Sequence, residues 1–338
     1  MVNGIMEKME GISLKKCSIF IIFCIFLSSF SSLVAISQEL QDSTNIIYVN
    51  PTDDIQQLID EADENDTLIF NNGVYHQSFR VTKPLILSGF SKEHTLMSFN
   101  TTSNNAAISI ASPYVTLSQL TIENRASGLY TTGIRIDASQ VRIENCIIKD
   151  TPIGIAVWED KVEIVNSIFT NCSDEGILLI STKISSSDNN RISHCVFTNN
   201  CDGIELQYSS RNLITDCVFQ YNTHAGIDAI CNNNNENIIS NCSFLDNVDF
   251  DIYFSSSKDN LISNCTIQNY QENVLFNPTN KSNIITKHDS FSFDSNSVET
   301  TESLKITSNT IIDLIRSMIS NSHRYIKNII FQVLSRIS

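Results

Sequence analysis

Short apolar sequence motifs, called phrases below, repeat at nearly regular spacing through the middle of this chain, with polar residues between them. The steps between successive phrases are 21, 28, 22, 25 and 23 residues. A period in the twenties with short β-rich phrases predicts a solenoid, in which each repeat buries its apolar face against its neighbours. The first series is Cys146-Ile-Ile, Ser167-Ile-Phe, Cys195-Val-Phe, Cys217-Val-Phe, Cys242-Ser-Phe and Cys265-Thr-Ile. The second series is Gly133-Ile-Arg-Ile, Gly154-Ile-Ala-Val, Gly176-Ile-Leu-Leu, Gly203-Ile-Glu-Leu, Gly226-Ile-Asp-Ala, Asp251-Ile-Tyr-Phe and Asn273-Val-Leu-Phe.

The phrases favour a parallel β-helix over a leucine-rich horseshoe, because the Leu-x-x-Leu-x-Leu frame of the horseshoe is absent. One coil offers three strands, predicted at 191–193, 195–197 and 203–206. Ile204 and Leu206 alternate with Glu205, which is the period of a half-buried strand. Asn, Asp and Ser fill the turns, and we expect their amides, at 199–200 and 232–235 for example, to stack from coil to coil. The predicted fold class is all-β, a right-handed parallel β-helix.

The segment before the repeats predicts a cap on the first coil. Residues 46–49 predict a strand, and an amphipathic helix follows with its apolar face on Ile55, Leu58, Ile59 and Ala62. We expect Thr52 or Asp53 to start this helix. The chain then reads Asp66-Thr-Leu-Ile-Phe, Asn72-Gly-Val-Tyr75 and Lys83-Pro-Leu-Ile-Leu-Ser-Gly89.

This order of phrases resembles the N-terminal cap and first coils of the pectin-lyase-like superfamily. It is most similar to the branch with NosD-type and carbohydrate-binding/sugar-hydrolysis repeats. The resemblance covers residues 46–289 and rests on the residues that build coils. It therefore implies the fold, and it implies polysaccharides or surface glycans as partners.

The two ends of the chain differ from the repeats. Residues 1–37 contain an uncharged apolar run after Lys16 and a small-x-small site at 35–37, which predicts a signal peptide, or a retained N-terminal signal anchor. Either form predicts an extracytoplasmic protein, secreted or anchored at the cell surface. Residues 290–308 predict a Ser-rich linker, and residues 309–338 a basic amphipathic helix.

Three partners are open for that C-terminal helix. Its basic face suits a membrane interface, so residues 15–36 and 309–338 are both candidates for membrane contact. It could instead pair with another helix as a coiled coil. It could also cap the open last coil, as a solenoid requires.

Charge restricts the partners further. The chain has 22 Lys and Arg against 37 Asp and Glu, a net charge of −15. So acidic a protein is not expected to bind nucleic acid, and acidic polymers or membranes would need a bridging cation. Solubility alone also accounts for such a charge.

The chain has ten cysteines, two of them in the predicted signal segment, and those at the repeat position are interpreted as packing residues. Five of them hold one repeat position, with Ser167 in the gap, and side chains in successive coils stand about 4.8 Å apart. That geometry leaves the Cβ atoms slightly too far apart for a disulfide, so a buried ladder of reduced thiols is expected. Cys172 and Cys201, in turns of adjacent coils, form the best disulfide candidate. No Cys-x-x-Cys pair is present and the histidines are scattered, so neither a metal site nor a cofactor is predicted.

The residues that follow the inward isoleucines form an outward stripe of Arg135, Ala156, Leu178, Glu205, Asp228 and Tyr253. Glu205 and Asp228 should stack about 5 Å apart, where a carboxylate pair can share a proton, bind a cation or take part in acid/base chemistry. With Trp158 and Tyr253 beside them, they suit a sugar-binding face. The alternative is that outward apolar residues pack under the 181–190 insertion or under the tail.

The resemblance also implies what an active site would contain. Polysaccharide lyases of the superfamily use an Asp cluster for Ca²⁺ and a basic proton abstractor, and its inverting hydrolases use three Asp and a His. Asp202, Glu205, His224 and Asp228 are the nearest set here, and they match neither motif. Ca²⁺ is thus conceivable without a motif to support it, and Arg211 is the only basic side chain within 195–235.

Three functions follow. The first is an exported β-helix that binds glycans or other surface polymers without catalysis. The second is a polysaccharide lyase or glycoside hydrolase of the same fold. The third is a copper-linked accessory protein of the NosD type, which lacks support because the expected mature chain holds only Met97 and Met318 and no His cluster.

Overall fold

The repeated phrases form short parallel strands, and the chain winds from one coil to the next through three sheets. The structure is a computed structural model that describes residues 44–101, 104–128, 130–267, 273–277 and 282–286. All strand pairs are parallel, and each strand pairs with its counterparts one coil earlier and one coil later. The predicted right-handed parallel β-helix is therefore confirmed. Strands are numbered β1 to β28 along the described chain.

Sheet I has eleven strands. They are β1 (Ile46–Val49), β2 (Thr67–Phe70), β5 (Ile86–Gly89), β8 (Thr116–Ser118), β11 (Arg142–Glu144), β14 (Glu163–Val165), β17 (Arg191–Ser193), β20 (Leu213–Thr215), β23 (Ile238–Ser240), β26 (Leu261–Ser263) and β28 (Ile284–Thr286).

Sheet II has eight strands. They are β3 (Gly73–Tyr75), β6 (Thr95–Phe99), β9 (Thr121–Asn124), β12 (Ile147–Lys149), β15 (Ile168–Thr170), β18 (Val196–Thr198), β21 (Val218–Gln220) and β24 (Ser243–Leu245).

Sheet III has nine strands and carries the second series of phrases. They are β4 (Phe79–Val81), β7 (Ala106–Ile110), β10 (Thr132–Ile136), β13 (Ile153–Val157), β16 (Glu175–Ile180), β19 (Asp202–Gln207), β22 (Ala225–Ala229), β25 (Phe250–Ser255) and β27 (Val274–Asn277).

The helix predicted before the repeats is α1 (Ile55–Glu61). Ile55 and Ile59 are buried, as the apolar spacing predicts. The expected start at Thr52 or Asp53 is wrong. Asp54 is the N-cap, because its Oδ1 accepts from Gln57 N at 3.0 Å, whereas Asp53 Oδ2 accepts from Asn50 N in the preceding turn.

In each central coil, one residue with a left-handed backbone conformation turns the chain from sheet I into sheet II. These residues have φ between 51° and 56° and are Asn145, Asn166, His194, Asp216, Asn241 and Asn264. Asn and Asp tolerate this conformation better than most residues. The residue that follows forms the corner, which is why β18 begins at Val196 and not at the expected Cys195.

The interior is built from ladders of like side chains. Phe169, Phe197, Phe219 and Phe244 stack with ring centroids 4.9, 4.8 and 4.8 Å apart and planes within 8° of parallel. Beside them lie the buried ladder cysteines, all free thiols, with Ser167 in line as predicted. Ser167 Oγ donates to Val165 O at 2.9 Å, so its hydroxyl is satisfied where the other coils place a thiol.

The proposed Cys172–Cys201 disulfide is wrong, because both residues are free thiols. Cys172 occupies the buried corner position that Asn200 holds in the next coil, and Asn200 Oδ1 accepts from Cys172 N at 3.0 Å. Cys201 stands one residue later and is half-buried. The two side chains therefore occupy different positions of their turns.

Asparagine amides stack from coil to coil, as expected for Asn-rich turns. In the longer ladder each Asn Oδ1 accepts from the backbone N–H of the Asn one coil earlier, at 2.9 to 3.0 Å. Its members are Asn190, Asn212, Asn237, Asn260 and Asn283. A second ladder runs through Asn200, Asn222 and Asn247. These buried amides satisfy turn backbone groups that face away from water.

A glycine opens most of the second phrases because the coils approach closely there. A Cβ at Gly203 would lie 2.5 Å from Gly226 O and 2.7 Å from Phe219 Cδ1, which leaves no room for a side chain.

The predicted signal segment over 1–37, the linker over 290–308 and the helix over 309–338 lie outside the described residues and stay predictions. Among the described residues, no helix has the length and apolar character needed to cross a membrane.

Candidate functional site on sheet III

The outer face of sheet III carries the predicted stripe in register. Arg135 pairs with Ala156, Leu178 with Glu205, and Glu205 with Asp228. The complete stripe, read along the solenoid, is Arg80, Ser109, Arg135, Ala156, Leu178, Glu205, Asp228, Tyr253 and Leu275. Its character changes from basic through apolar to acidic within one continuous surface.

The apolar part of the stripe packs on itself. Ala156 and Leu178 are buried and form a cluster with Ile153, against which Trp158 and Ile180 pack. The 181–190 insertion forms hydrogen bonds with neighbouring turns: Asp160 Oδ1 accepts from Ser186 Oγ and from Asp188 N, both at 2.8 Å. On the other side, Asp188 Oδ1 accepts from Ser210 N at 2.7 Å, so the insertion contacts the turns of both neighbouring coils. The predicted cover over the outward apolar residues stays a prediction.

A groove of about 580 Å³ opens beside this cluster. Arg135 holds its guanidinium 5.0 Å from the centre of the Trp158 ring and pairs with Asp137 at 2.8 Å. Arg80 and the exposed Tyr130 also line the groove. It thus combines hydrogen-bond donors with two aromatic rings, of which Trp158 is fixed in place by a cation–π contact.

A second groove of about 640 Å³ lies on the sheet II side, lined by Arg125, Asp150, Pro152, Asn171 and Asp174, among others. It contains no aromatic ring, so it lacks the stacking surface of the first groove.

Two carboxylates and one imidazole meet further along sheet III. Candidate ligand atoms of Asp202, His224 and Asp228 all lie within 4.8 Å of one another. Asp202 Oδ1 accepts from His224 Nδ1 at 2.8 Å and from Ala225 N at 2.9 Å. Asp228 Oδ2 lies 3.7 Å from His224 Nδ1. The ring of Phe250 stands edge-on to His224 at 6.1 Å and helps to orient the imidazole.

Burial sets the ionisation of this cluster. It raises the pKa of Asp228 to about 7, and the charges of Asp202 and Glu205 add to the increase. It also raises the pKa of Asp202, although the hydrogen bond from His224 opposes it. For His224, burial alone would lower the pKa, but the hydrogen bond and charge of Asp202 overcome it and the pKa is raised.

A further carboxyl pair, Glu175 and Glu205, adjoins the cluster. No donor reaches Glu175 Oε2 among the described residues, while Gln207 Nε2 donates to Glu205 Oε1. Burial, then a hydrogen bond to Glu205, raises the pKa of Glu175 to about 10. Burial and the neighbouring Glu205 carboxyl group therefore favour the protonated form of Glu175.

The predicted site residues fall into two groups. Glu205, Asp228 and Tyr253 lie on successive strands. Asp202 and His224 lie beside them, so the four residues considered as catalytic candidates are found on one face. Trp158 lies two coils before Glu205, beside the apolar cluster and the groove. Arg211 is not on this face; it pairs with Asp188 at 2.5 Å. Whether any of these residues binds or reacts stays a prediction.

Sequence reasoning missed Glu175 and Arg135 as site residues. It grouped Asp202, His224 and Asp228 only through the family resemblance, and the spacing did not predict that their side chains meet. The available signal was the residue three places before each stripe position. Glu175 pairs with Asp202 and Asp202 with Ala225, on the register line three residues before the stripe.

The family model for the right-handed β-helix region matches the sequence over three overlapping stretches, residues 8–184, 107–248 and 154–329. A search of the curated proteins finds no match at a comparable level. The finer resemblance to NosD-type proteins stays a prediction, because the matched family is broader.

Among solved structures, tailspike protein 2 of an Escherichia coli O157:H7 bacteriophage is 14% identical, with a TM-score of 0.56 over 72% of this chain and 38% of its own. The ORF18 protein of Geobacillus virus E2 is 14% identical, with a TM-score of 0.52 over 78% of this chain and 64% of its own. Pectate lyase Pel9A is 14% identical, with a TM-score of 0.46 over 72% of this chain and 80% of its own. This chain thus spans less than two thirds of the tailspike and of the virus protein, and the likeness is one of fold.

Proposed function

This chain belongs to the right-handed β-helix family, and we propose that it is a polysaccharide-binding protein that uses the outer face of sheet III. The observation that carries the proposal is the groove in which Arg135 holds the Trp158 ring, with Arg80 and Tyr130 beside it. Aromatic rings offer an apolar face to sugar rings, and guanidinium groups donate to hydroxyl and carboxylate oxygens.

The repeat of the coil supports an extended ligand. Stripe residues advance by one coil, about 4.8 Å, which is close to the length of one sugar residue in a polysaccharide. A chain that lies along the solenoid would therefore meet a new stripe residue with each sugar. The basic groove, the apolar cluster and the acidic cluster would contact successive parts of one ligand.

The test compares two exposed or half-exposed aromatic residues on different sheets. We expect Trp158→Ala to weaken binding of oligosaccharides to the full chain about tenfold, since an aromatic contact is worth about 1.4 kcal/mol. Tyr48→Ala, on the outer face of sheet I, is the matched control and should change nothing. The probes are alginate, polygalacturonate and neutral β-glucan oligosaccharides, measured by calorimetry. Equal loss in both variants, or no binding to any probe, contradicts the proposal.

Hydrolysis of the bound polysaccharide is a second candidate, favoured by Glu175, Asp202, Glu205 and Asp228 standing on three adjacent strands of one face. A glycosidase needs two such carboxyl groups on either side of the scissile bond. Release of reducing ends that is abolished by Glu205→Gln, with binding retained, would establish this candidate. Release of unsaturated products would indicate a lyase instead.

The proposal includes export, which rests on the apolar run and cleavage site in residues 1–37. N-terminal sequencing of the protein from the medium is expected to begin near Gln38. Membrane contact by residues 309–338 is a separate proposal, tested by vesicle binding before and after deletion of that segment.

A further inference from the structure

Asp202, His224 and Asp228 converge on the outer face of sheet III, and we propose that they bind a zinc ion. Asp202 opens strand β19, His224 is the last residue of the turn before strand β22, and Asp228 lies in β22, so two successive coils supply the ligands. Candidate ligand atoms of all three residues lie within 4.8 Å of one another. The inference goes beyond polysaccharide binding and does not depend on it.

The distances in the cluster suit ligands of one small cation. His224 Nδ1 lies 2.8 Å from Asp202 Oδ1 and 3.7 Å from Asp228 Oδ2. Neighbouring ligands on a tetrahedral zinc ion stand about 3.3 Å apart, given bonds of about 2.0 to 2.1 Å. The measured pair of distances lies on either side of that value, so small side-chain rotations would bring both oxygens and the nitrogen onto one ion.

The cluster carries more negative charge than its own cation can balance. Asp202 and Asp228 are buried, and in the described part of the chain His224 is the only ion-pair partner of either. Glu205 and Asp249 add their charges nearby. A buried carboxylate needs a partner or a metal, and two such groups face a single imidazole.

Asp228 supplies an independent sign of a missing ligand. Its side chain is only 3% exposed, yet Oδ1 has no hydrogen-bond partner among the described residues. Buried polar atoms are nearly always satisfied, so an exception calls for an unseen partner. A cation that binds both carboxylate oxygens of Asp228 together with His224 would be that partner.

The donor set selects zinc over calcium. Calcium takes oxygen ligands and needs six to eight of them, whereas an imidazole nitrogen with carboxylate oxygens suits zinc. Three protein ligands leave one coordination position open, and His224 keeps about a third of its side chain exposed, at 35%. Solvent therefore has access to the side of the cluster on which an ion would enter.

Calorimetry with zinc chloride alone tests this site on the full chain after treatment with a chelator. We expect binding by the native protein and a loss of at least about tenfold in affinity for both His224→Gln and Asp228→Asn. His194→Gln is the matched control, because His194 also faces an aspartate, Asp216, at 4.0 Å but has no second carboxylate in its ion pair. That control should retain the native affinity.

Several results would overturn the site: no zinc binding by the native chain, equal losses in His194→Gln and His224→Gln, or calcium displacing zinc at equal concentration. X-ray absorption of the zinc-loaded native protein needs no variant and covers the case in which Asp228→Asn does not fold. It should show imidazole scattering, and a purely aqueous shell contradicts the site. Zinc binding without binding of any oligosaccharide probe would contradict only the polysaccharide proposal, and the reverse result would contradict only the zinc site.

Discussion

The two faces of sheet III differ in how much their residues vary from coil to coil. Its inner face repeats nearly the same residue in every coil, as in Ile155, Ile177, Ile204, Ile227 and Ile252, all fully buried. Its outer face changes at every coil, from Arg135 through Leu178 to Asp228. The same strands therefore present nearly identical side chains to the interior and different side chains to the outside.

The difference shows which positions are constrained by packing. An inner side chain contacts like neighbours one coil away at about 4.8 Å, so a change there disturbs two interfaces at once. An outer side chain is free of that requirement and can differ from its neighbours. Charge, imidazole and indole groups are accordingly found on the outer face, where chemistry rather than stacking decides the residue.

The largest effect is expected when a charge is placed in the inner ladder. Cys217→Asp should lower the free energy of unfolding by about 4 kcal/mol, because a buried carboxylate lacks a partner there. Burial already raises the pKa of the Cys217 thiol well above its usual range. Urea unfolding of the full chain measures the loss.

Cys217→Ser is the matched control for that variant. Ser167 shows that a hydroxyl fits the ladder, since it donates to a carbonyl two residues earlier, and Cys217 Sγ already lies 3.2 Å from Thr215 O. We expect a loss of about 1 kcal/mol. Equal losses for Ser and Asp would mean that the ladder is not a desolvated interior.

The asparagine ladder gives the next largest expected effect. Asn237 accepts from Asn212 N and Nδ2 at 2.9 and 3.0 Å. Asn237→Ala leaves these buried donors without an acceptor, at a cost of about 2 to 3 kcal/mol. Asn232→Ala, in the exposed turn nearby, should cost less than about 0.5 kcal/mol. A small effect at Asn237 would show that water replaces the amide.

On the outer face, the ionisation of Glu175 should make the stability of the protein depend on pH. The pKa of Glu175 is raised from 4.5 to about 10 in the folded protein. The folded state therefore holds a proton that the unfolded state releases, and stability is lost as the pH rises above the unfolded value. The loss should reach at most about 1.4 kcal/mol per pH unit between pH 5 and 8.

Glu175→Gln removes this titration and keeps a donor for Glu205. Its free energy of unfolding should fall less steeply over the same pH range than that of the native chain, measured with chelator present. Parallel pH profiles for the two proteins would show that Glu175 is ionised in the folded state.

The sequence predicts the inner face far better than the outer one. Repeated phrases locate Cys217 in its ladder, because a one-residue slip would move every apolar residue to the wrong face. Strict alternation also places Glu205 beside Asp228. It fails at Asp202, three residues earlier, because the strand does not alternate across Gly203, where no Cβ fits. Asp202 and Glu205 therefore share the outer face, and their meeting with His224 was not predictable from spacing.

The turns show a similar limit. Asn-rich composition predicts amide stacking, but the ladder members Asn212 and Asn237 are set by where each turn leaves its strand. The Cys172–Cys201 prediction failed because Cys172 aligns with Asn200 in the next coil, and Cys201 stands one residue later in its turn.

Hydroxyl-radical footprinting of side chains, with and without the best-binding oligosaccharide, tests most directly whether the varied outer face is the functional one. Oxidation of Trp158 should fall severalfold in the presence of ligand, and oxidation of Tyr48 on sheet I should stay unchanged. Protection of Tyr48, or of residues 150–174 in the second groove with Trp158 unchanged, would contradict the assignment of function to sheet III.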